Sequence, residues 1–248
     1  MQNDRPKITW VDSLVSTNTT LMERLKSEAL DNGFCLSTRF QTSGRGQAGN
    51  SWESSRGENL LFSLLIHSEK FPLDRQFVLS KVVSVAILRY LKSKKIDVKI
   101  KYPNDIFYGD RKLAGILIEN VISGGKMKYS VVGIGLNVNQ TEFEINGKTA
   151  ISMSQIIGEK YDLERELENL CCQILACIRE FSEDSIETYQ SGYCDNLYRG
   201  KGFFQYQTPL GEEFSAEIVS VSDDGRLNLQ TSEGVSRSFY FKEVKFVI

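Results

Sequence analysis

The 248-residue sequence predicts an α/β domain followed by a small all-β one. Three observations carry this expectation. Short apolar or alternating runs, each bounded by glycine, proline, asparagine or aspartate, read as strands. Two longer stretches repeat apolar residues at helical spacing. Beyond Asn196 the helical period stops and only short alternating segments remain.

In chain order, residues 12–29 (DSLVSTNTTLMERLKSEA) predict a strand end and then a helix, with Ser16, Thr17 or Asn18 near its N-cap. A strand, the loop SGRGQAGNSW at residues 43–52, and the apolar strand Leu60-Leu61-Phe62-Ser63-Leu64-Leu65-Ile66 follow. Residues 73–91 place Phe77, Val78, Val82, Val85 and Ala86 at helical spacing, which predicts a well-buried helix. The alternating Val98-Lys99-Ile100-Lys101-Tyr102 stops at Pro103, and strands at 113–121 and 129–137 are joined through turns at Gly109 and at Gly124-Gly125. A helix over residues 162–189 carries Leu163, Leu167, Leu170, Ile174, Ile178 and Phe181 on one face, with Cys171 and Cys177 bordering it. Core packing accounts for those two cysteines better than redox chemistry. The alternating Phe214, Ala216, Ile218 and Leu227, Leu229 then predict a small barrel or sandwich. The division expected is residues 1–195 and 196–248, packed directly together because no low-complexity linker separates them.

Composition excludes several classes. With 30 basic and 32 acidic residues, the total shows no electrostatic footprint for nucleic acid or an anionic membrane. The N-terminus MQNDRPKITW has no apolar leader and no stretch approaches a membrane span, so the protein is expected in the cytoplasm. Five cysteines without a C-x-x-C pair fit reduced thiols. His67 is the only histidine and lies beside an apolar run, which suits buried packing rather than a zinc site or a Ser-His triad.

Four segments concentrate residues that suit chemistry. Gly44, Gly46 and Gly49 satisfy G-x-G-x-x-G, but no helix opens after them, so the loop joins strands and a dinucleotide is not indicated. With Arg45 and Trp52 beside them, these glycines suggest an anion or ligand loop. The others have bland readings too: Ser16-Thr17-Asn18 is an ordinary cap, Lys112 an ordinary solvated lysine, and Asn137 a residue that tolerates a turn.

Taken together the segments are more specific. STN at residues 16–18, GRGxxGxxW at 44–52, K-aromatic-PND at 101–105, RKLAGIL at 111–117 and GIGxNVN at 133–139 follow in that order, and the chain resembles the biotin–protein ligases over nearly its whole length. The resemblance implies a mixed-sheet catalytic domain related to class II aminoacyl-tRNA synthetases, with an SH3-like C-terminal domain. It implies ATP-dependent activation of biotin to biotinyl-adenylate, then transfer to one lysine of a biotin carboxyl carrier domain, by a monomer or a homodimer.

Carried over residue by residue, Lys112 and Arg45 are the catalytic cations that meet carboxylate and phosphate, where charge develops in the transition state. Ser16, Thr17, Asn18, Gln41, Gly44, Gly46, Gln47, Gly115 and Leu117 would join them around biotin, whose ureido ring needs neutral polar partners. Trp52 and Asn137 match positions at the adenine. Asn104 and Asp105 match the nucleotide site, with Asp105 a candidate magnesium ligand or simply an organiser of its loop.

Two departures stand out. Gln47 and Asn50 occupy positions that are often arginine in the family, which lowers the charge available to retain the adenylate, and Tyr102 stands where many members have tryptophan, a change expected to alter only packing. A lipoate ligase would be expected to show Arg-Arg and a triple-glycine loop. A ligase that doubles as a repressor needs a winged helix ahead of the catalytic domain, and Ser16 lies too near the N-terminus for one.

Overall fold

A computed structural model describes residues 6–143 and 150–247; the first five residues of the N-terminus read above lie outside it. The runs of the first part form β1 (Lys7–Val11), β2 (Phe34–Thr38), β3 (Leu60–His67), β4 (Lys99–Lys101), β5 (Asp105–Tyr108), β6 (Arg111–Ser123) and β7 (Lys126–Leu136). They make one seven-stranded sheet in the order β1-β2-β3-β7-β6-β5-β4. β1 and β2 pair in parallel and the other neighbours are antiparallel, so the sheet is mixed.

β3 shows why an unbroken apolar run was needed, because it is covered on both faces. Leu60, Phe62, Leu64 and Ile66 enter the main core with the helices α2 (Phe77–Ser93), α3 (Met153–Ile157) and α4 (Leu163–Glu180). Leu65 points the other way and packs with Leu36, Val131 and Leu21 of α1 (Thr17–Arg24) in a smaller cluster. Successive strand residues face opposite sides, so the sheet buries its larger face under α2 and α4. The face toward α1 is left partly open.

The predicted helices need three corrections. α1 opens at Thr17 with Ser16 as its N-cap, as expected, but stops at Arg24, short of residue 29, because the chain leaves the helix through Leu25 into a turn over residues 25–27. α2 begins at Phe77 after a separate 3-10 turn at Leu73–Arg75. The helix expected over 162–189 is two helices, α4 and α5 (Ile186–Cys194). Phe181 turns extended to stack on Phe71 at 4.5 Å, Lys70 donates to the carbonyls of Ile178 and Phe181, and Ser182 restarts the chain through a capping box with Ser185. His67 is partly rather than fully buried, tilted against Tyr129 with Nε2 3.1 Å from the Leu30 carbonyl. The cysteines are free thiols, and Cys35 and Cys171 touch inside the core.

β8 (Phe204–Gln207), β9 (Glu213–Val221), β10 (Leu227–Thr231), β11 (Ser236–Phe239) and β12 (Lys245–Phe246) form a second, antiparallel sheet in the order β11-β10-β9-β8-β12, consistent with an SH3-like domain. Its 222–225 turn seats on α2. Phe77 N–H donates to the Asp223 carbonyl at 3.0 Å, and the Tyr102 hydroxyl donates to the Gly225 carbonyl at 2.6 Å. Tyr102 therefore does more than alter packing, and burial raises its hydroxyl pKa well above the ordinary value, which keeps it a donor.

Lys81 is 1% exposed and completes this junction, with Nζ donating to Asp223 at 2.7 Å, to the Val221 carbonyl at 2.9 Å and to Gln190. Lys81→Ala would strand those acceptors, and the expected cost is about 2 kcal/mol, measurable as a lower midpoint in urea denaturation. Among the described residues no helix is long and apolar enough to cross a membrane.

Candidate active site

The α1-facing side of β6 and β7 has a trough floored by glycine. Gly115 pairs with Gly135 and Leu117 with Gly133 across the two strands. A Cβ at Gly135 would fall inside the Trp52 indole, one at Gly115 would come within 2.9 Å of its Cζ3, and one at Gly133 would strike Asn18 Oδ1. Glycine is required here by close approach. The Trp52 Nε1–H is buried without a hydrogen-bond partner.

A β-bulge decides where Lys112 points. Ile106 pairs with Ala114 and Phe107 with Lys112, leaving Leu113 as the extra residue. Leu113 and Ala114 consequently both enter the main core. Lys112 instead lies with Gly115, its Nζ 5.4 Å from the Trp52 ring centre and 2.7 Å from Asp105 Oδ1. Asp105 pairs with Gly115, so cation and carboxylate share one face. Asn104 donates its amide to the Ile116 carbonyl. Asn137, 3% exposed, donates its amide to the carbonyls of Ile151 at 3.2 Å and Lys112 at 3.4 Å, and its N–H to Leu113 at 3.0 Å.

The other end of the trough is polar and mostly neutral. Ser16 is 2% exposed at the α1 N-cap, yet its side chain caps nothing. Thr17 donates to Gln41 Oε1 from N–H at 2.8 Å and from its hydroxyl at 3.3 Å. The Ser63 hydroxyl lies 2.5 Å from Asn18 Oδ1 and 2.8 Å from Thr17 Oγ1, while Asn18 Nδ2 donates to the Leu117 carbonyl at 3.1 Å and to Glu119 at 2.8 Å.

The glycine loop closes on itself beside this end. Trp52 N–H donates to the Gly44 carbonyl at 2.9 Å, Gly46 N–H to Asn50 at 2.6 Å, and Gly49 sits at φ +89°. A Cβ at Gly44 would collide with the Trp52 carbonyl. Arg45 reaches Glu119, and Gln47 lines a cleft of about 240 Å³ with Phe77, Tyr102, Pro103 and Gly225, its Oε1 buried without a partner. Arg56 is engaged elsewhere, paired to Asp12 at 2.8 Å and stacked on Phe40.

Lys112 and Asp105 at one end, a neutral polar cluster with the Arg45–Glu119 pair beside it at the other, and a glycine floor between them suit a ligand with a flat polar head and an acidic tail. Residues 10–137 match the Biotin/lipoate A/B protein ligase family. The chain belongs to this family. It is 30% identical to the biotin–[acetyl-CoA-carboxylase] ligase of Mycobacterium tuberculosis, over 86% of this chain and 79% of that one. It is 28% identical to the bifunctional ligase/repressor BirA of Bacillus subtilis, over 92% and 70%. In structure it resembles the Aquifex aeolicus biotin protein ligase in complex with biotin and ATP, with a TM-score of 0.78 at 25% identity over 97% of this chain and 99% of that chain.

Within this biotin/lipoate ligase fold, the sequence reading missed Ser63, Thr19 and Glu119. Ser63 is the one polar residue inside the apolar run of residues 60–66, which was its signal. Glu119 follows Gly115 and Leu117 at strand period two, so alternation alone placed it on the site face. Thr19, which accepts from Arg45 Nη1 at 3.2 Å, carried no signal beyond its helix.

Proposed function

We infer that this chain is an ATP-dependent biotin–protein ligase. The biotin carboxylate attacks the α-phosphate of ATP, giving biotinyl-adenylate and pyrophosphate. The ε-amine of a carrier-domain lysine then attacks the acyl carbonyl, giving the amide and AMP. The observation that carries this reading is the trough's polarity: Lys112 and Asp105 lie at the Gly115 level, and the Thr17–Gln41–Ser63–Asn18 cluster lies at the Leu117 level.

In this reading the neutral cluster holds the ureido ring, because its donors and acceptors match two N–H groups and a carbonyl without adding charge. Lys112 offsets the two negative partners of the first step, and Arg45 adds a second cation beside the loop. Trp52 and the glycines form the slot for the nucleotide base. Residues 1–195 form the catalytic unit and residues 196–248 a wall of the cleft.

Magnesium would enter with ATP and would supply charge neutralisation at its phosphates, with Asp105 the residue placed to hold it. Among the described residues no cluster of three or more His, Cys, Asp or Glu side chains cages a metal. Magnesium brought by a nucleotide keeps waters and needs only one or two carboxylates, so the single Asp105 fits that demand. We also propose a carrier domain as the protein partner, a cytoplasmic setting, and no specific nucleic acid.

Incubation with ATP, magnesium and either biotin or lipoate tests the assignment by mass spectrometry. Biotinyl-adenylate alone is expected; lipoyl-adenylate alone would move the chain to the other branch of its family.

Gln47 offers a second test. Its carboxamide lacks the charge and planar fork of an arginine, and charge-assisted bonds are roughly twice as strong as neutral ones. With Arg56 tied to Asp12, the nearby loop offers no substitute from that residue. Gln47→Arg is expected to slow biotinyl-adenylate release by about tenfold, equivalent to ~1.4 kcal/mol. Stopped-flow dissociation measures it, and equal or faster release means that this position does not face the phosphate.

A further inference from the structure

Glu119 lies on the site face of β6, and its carboxylate binds the glycine loop and α1 at once. Oε1 accepts from Arg45 Nη2 at 2.9 Å, and Oε2 accepts from Arg45 Nη1 at 3.2 Å and from Asn18 Nδ2 at 2.8 Å. Arg45 Nη1 also donates to Thr19 Oγ1 at 3.2 Å.

This pattern fixes which edge of the guanidinium remains available. A guanidinium presents five N–H bonds in a rigid plane. Nη1 and Nη2 together form its end-on fork, and Glu119 takes that fork. Thr19 takes the second hydrogen of Nη1. What remains is the side edge, where Nε–H and the second Nη2–H lie parallel, and that edge alone can hold a carboxylate or phosphate with two bonds. The Arg45 side chain is 45% exposed, so solvent reaches it.

We propose that Glu119 is a positioning residue for adenylate formation: it holds Arg45 by the end-on fork so that the side edge faces the ligand's phosphate, and it locks the Asn18 amide so that Oδ1 accepts from Ser63. This rests on the ligase reading above. It assigns Glu119 no contact with substrate. Its partner Asn18 links it through Ser63 to Thr17 and Gln41, so one carboxylate sets the orientation of both the cationic loop and the neutral cluster.

A carboxylate is needed rather than a carboxamide. Glu119→Gln keeps the length and one acceptor for Asn18 but replaces the other with an NH2, which cannot receive a guanidinium hydrogen. The fork is then held at one point, and the plane is free to turn.

The test is a double-mutant cycle on biotin-dependent pyrophosphate exchange, with wild type, Glu119→Gln, Arg45→Ala and the double variant. Thermal melts confirm that each is folded. Glu119→Gln is expected to lower kcat/KM for ATP by up to about a hundredfold, the scale of a misplaced positioning group. In the Arg45→Ala background the same change is expected to have little further effect on kcat/KM for ATP, because Glu119 acts on the phosphate only through Arg45. Full exchange by Glu119→Gln, or a loss of the same size with and without Arg45, overturns the proposal. In both of those cases wild-type exchange leaves the ligase reading standing. Absence of biotin-dependent exchange in the wild type overturns the ligase reading and this proposal with it.

Discussion

Lys112→Ala is expected to reduce biotin-dependent pyrophosphate exchange at least about a hundredfold while the protein stays folded. Its ammonium is held by the bulge on the site face of β6, 2.7 Å from Asp105 and over the Trp52 ring. In the activation step a carboxylate approaches the α-phosphate, and a cation fixed at that place stabilises the crowded phosphorus centre most when its charge is greatest. Losing one such contact typically costs ~3 kcal/mol or more. The fold should tolerate the change because Lys112 and Asp105 are both partly exposed, at 33% and 27%. A pair open to solvent contributes roughly 0–1 kcal/mol to stability. Exchange kinetics and a urea melt on the same preparation decide it: wild-type exchange in a folded Lys112→Ala protein removes Lys112 from the chemistry.

Gly135→Ala has the next largest expected effect, and it acts through shape alone. The added methyl falls where the Trp52 indole sits, so one of them must leave. The sheet cannot yield easily, since Gly135 is paired on both sides, to Leu61 in β3 and Gly115 in β6. Trp52 can, because it ends a surface loop whose closure is local. The indole is therefore expected to lift from the floor with little loss of stability, and adenylate formation to fall by about a hundredfold as the base loses its slot. In a Trp10→Phe background Trp52 is the remaining tryptophan, and its emission is expected to shift to the red with stronger acrylamide quenching. Unchanged emission together with undiminished adenylate yield would show that Trp52 does not depend on this floor.

Several features were legible in the chain alone. The alternation at 98–102, the apolar run of β3, the runs at 113–121 and 129–137 and the change after Asn196 specified most of the strands, because burial on one or both faces imposes a period on the sequence wherever the strands end up. The short β5 and β8 were not expected. The order of the motifs specified the family, since Ser16-Thr17-Asn18, the glycine loop, Lys112 and Asn137 keep their chemistry whatever the backbone does between them. Even Glu119 was within reach, two residues beyond Leu117 on the same face.

Other features depended on contacts between residues far apart in sequence. The break between α4 and α5 follows from Phe181 stacking on Phe71 and from Lys70 donating to the carbonyls of Ile178 and Phe181, none of which marks the helical pattern of residues 162–189. The direction of Lys112 follows from a bulge defined only by its register against β5; strict alternation would have put it on Ala114's side, in the core. Tyr102 became a donor to Gly225, and Lys81 a buried cation, only because the 222–225 turn of the second sheet arrives there. Local periodicity records which face a residue must bury, whereas bulges and partners supplied by another element are set when the chain packs, and so the residue types and most of their faces were readable in advance while the face of Lys112 and the bonds that orient it and Arg45 were not.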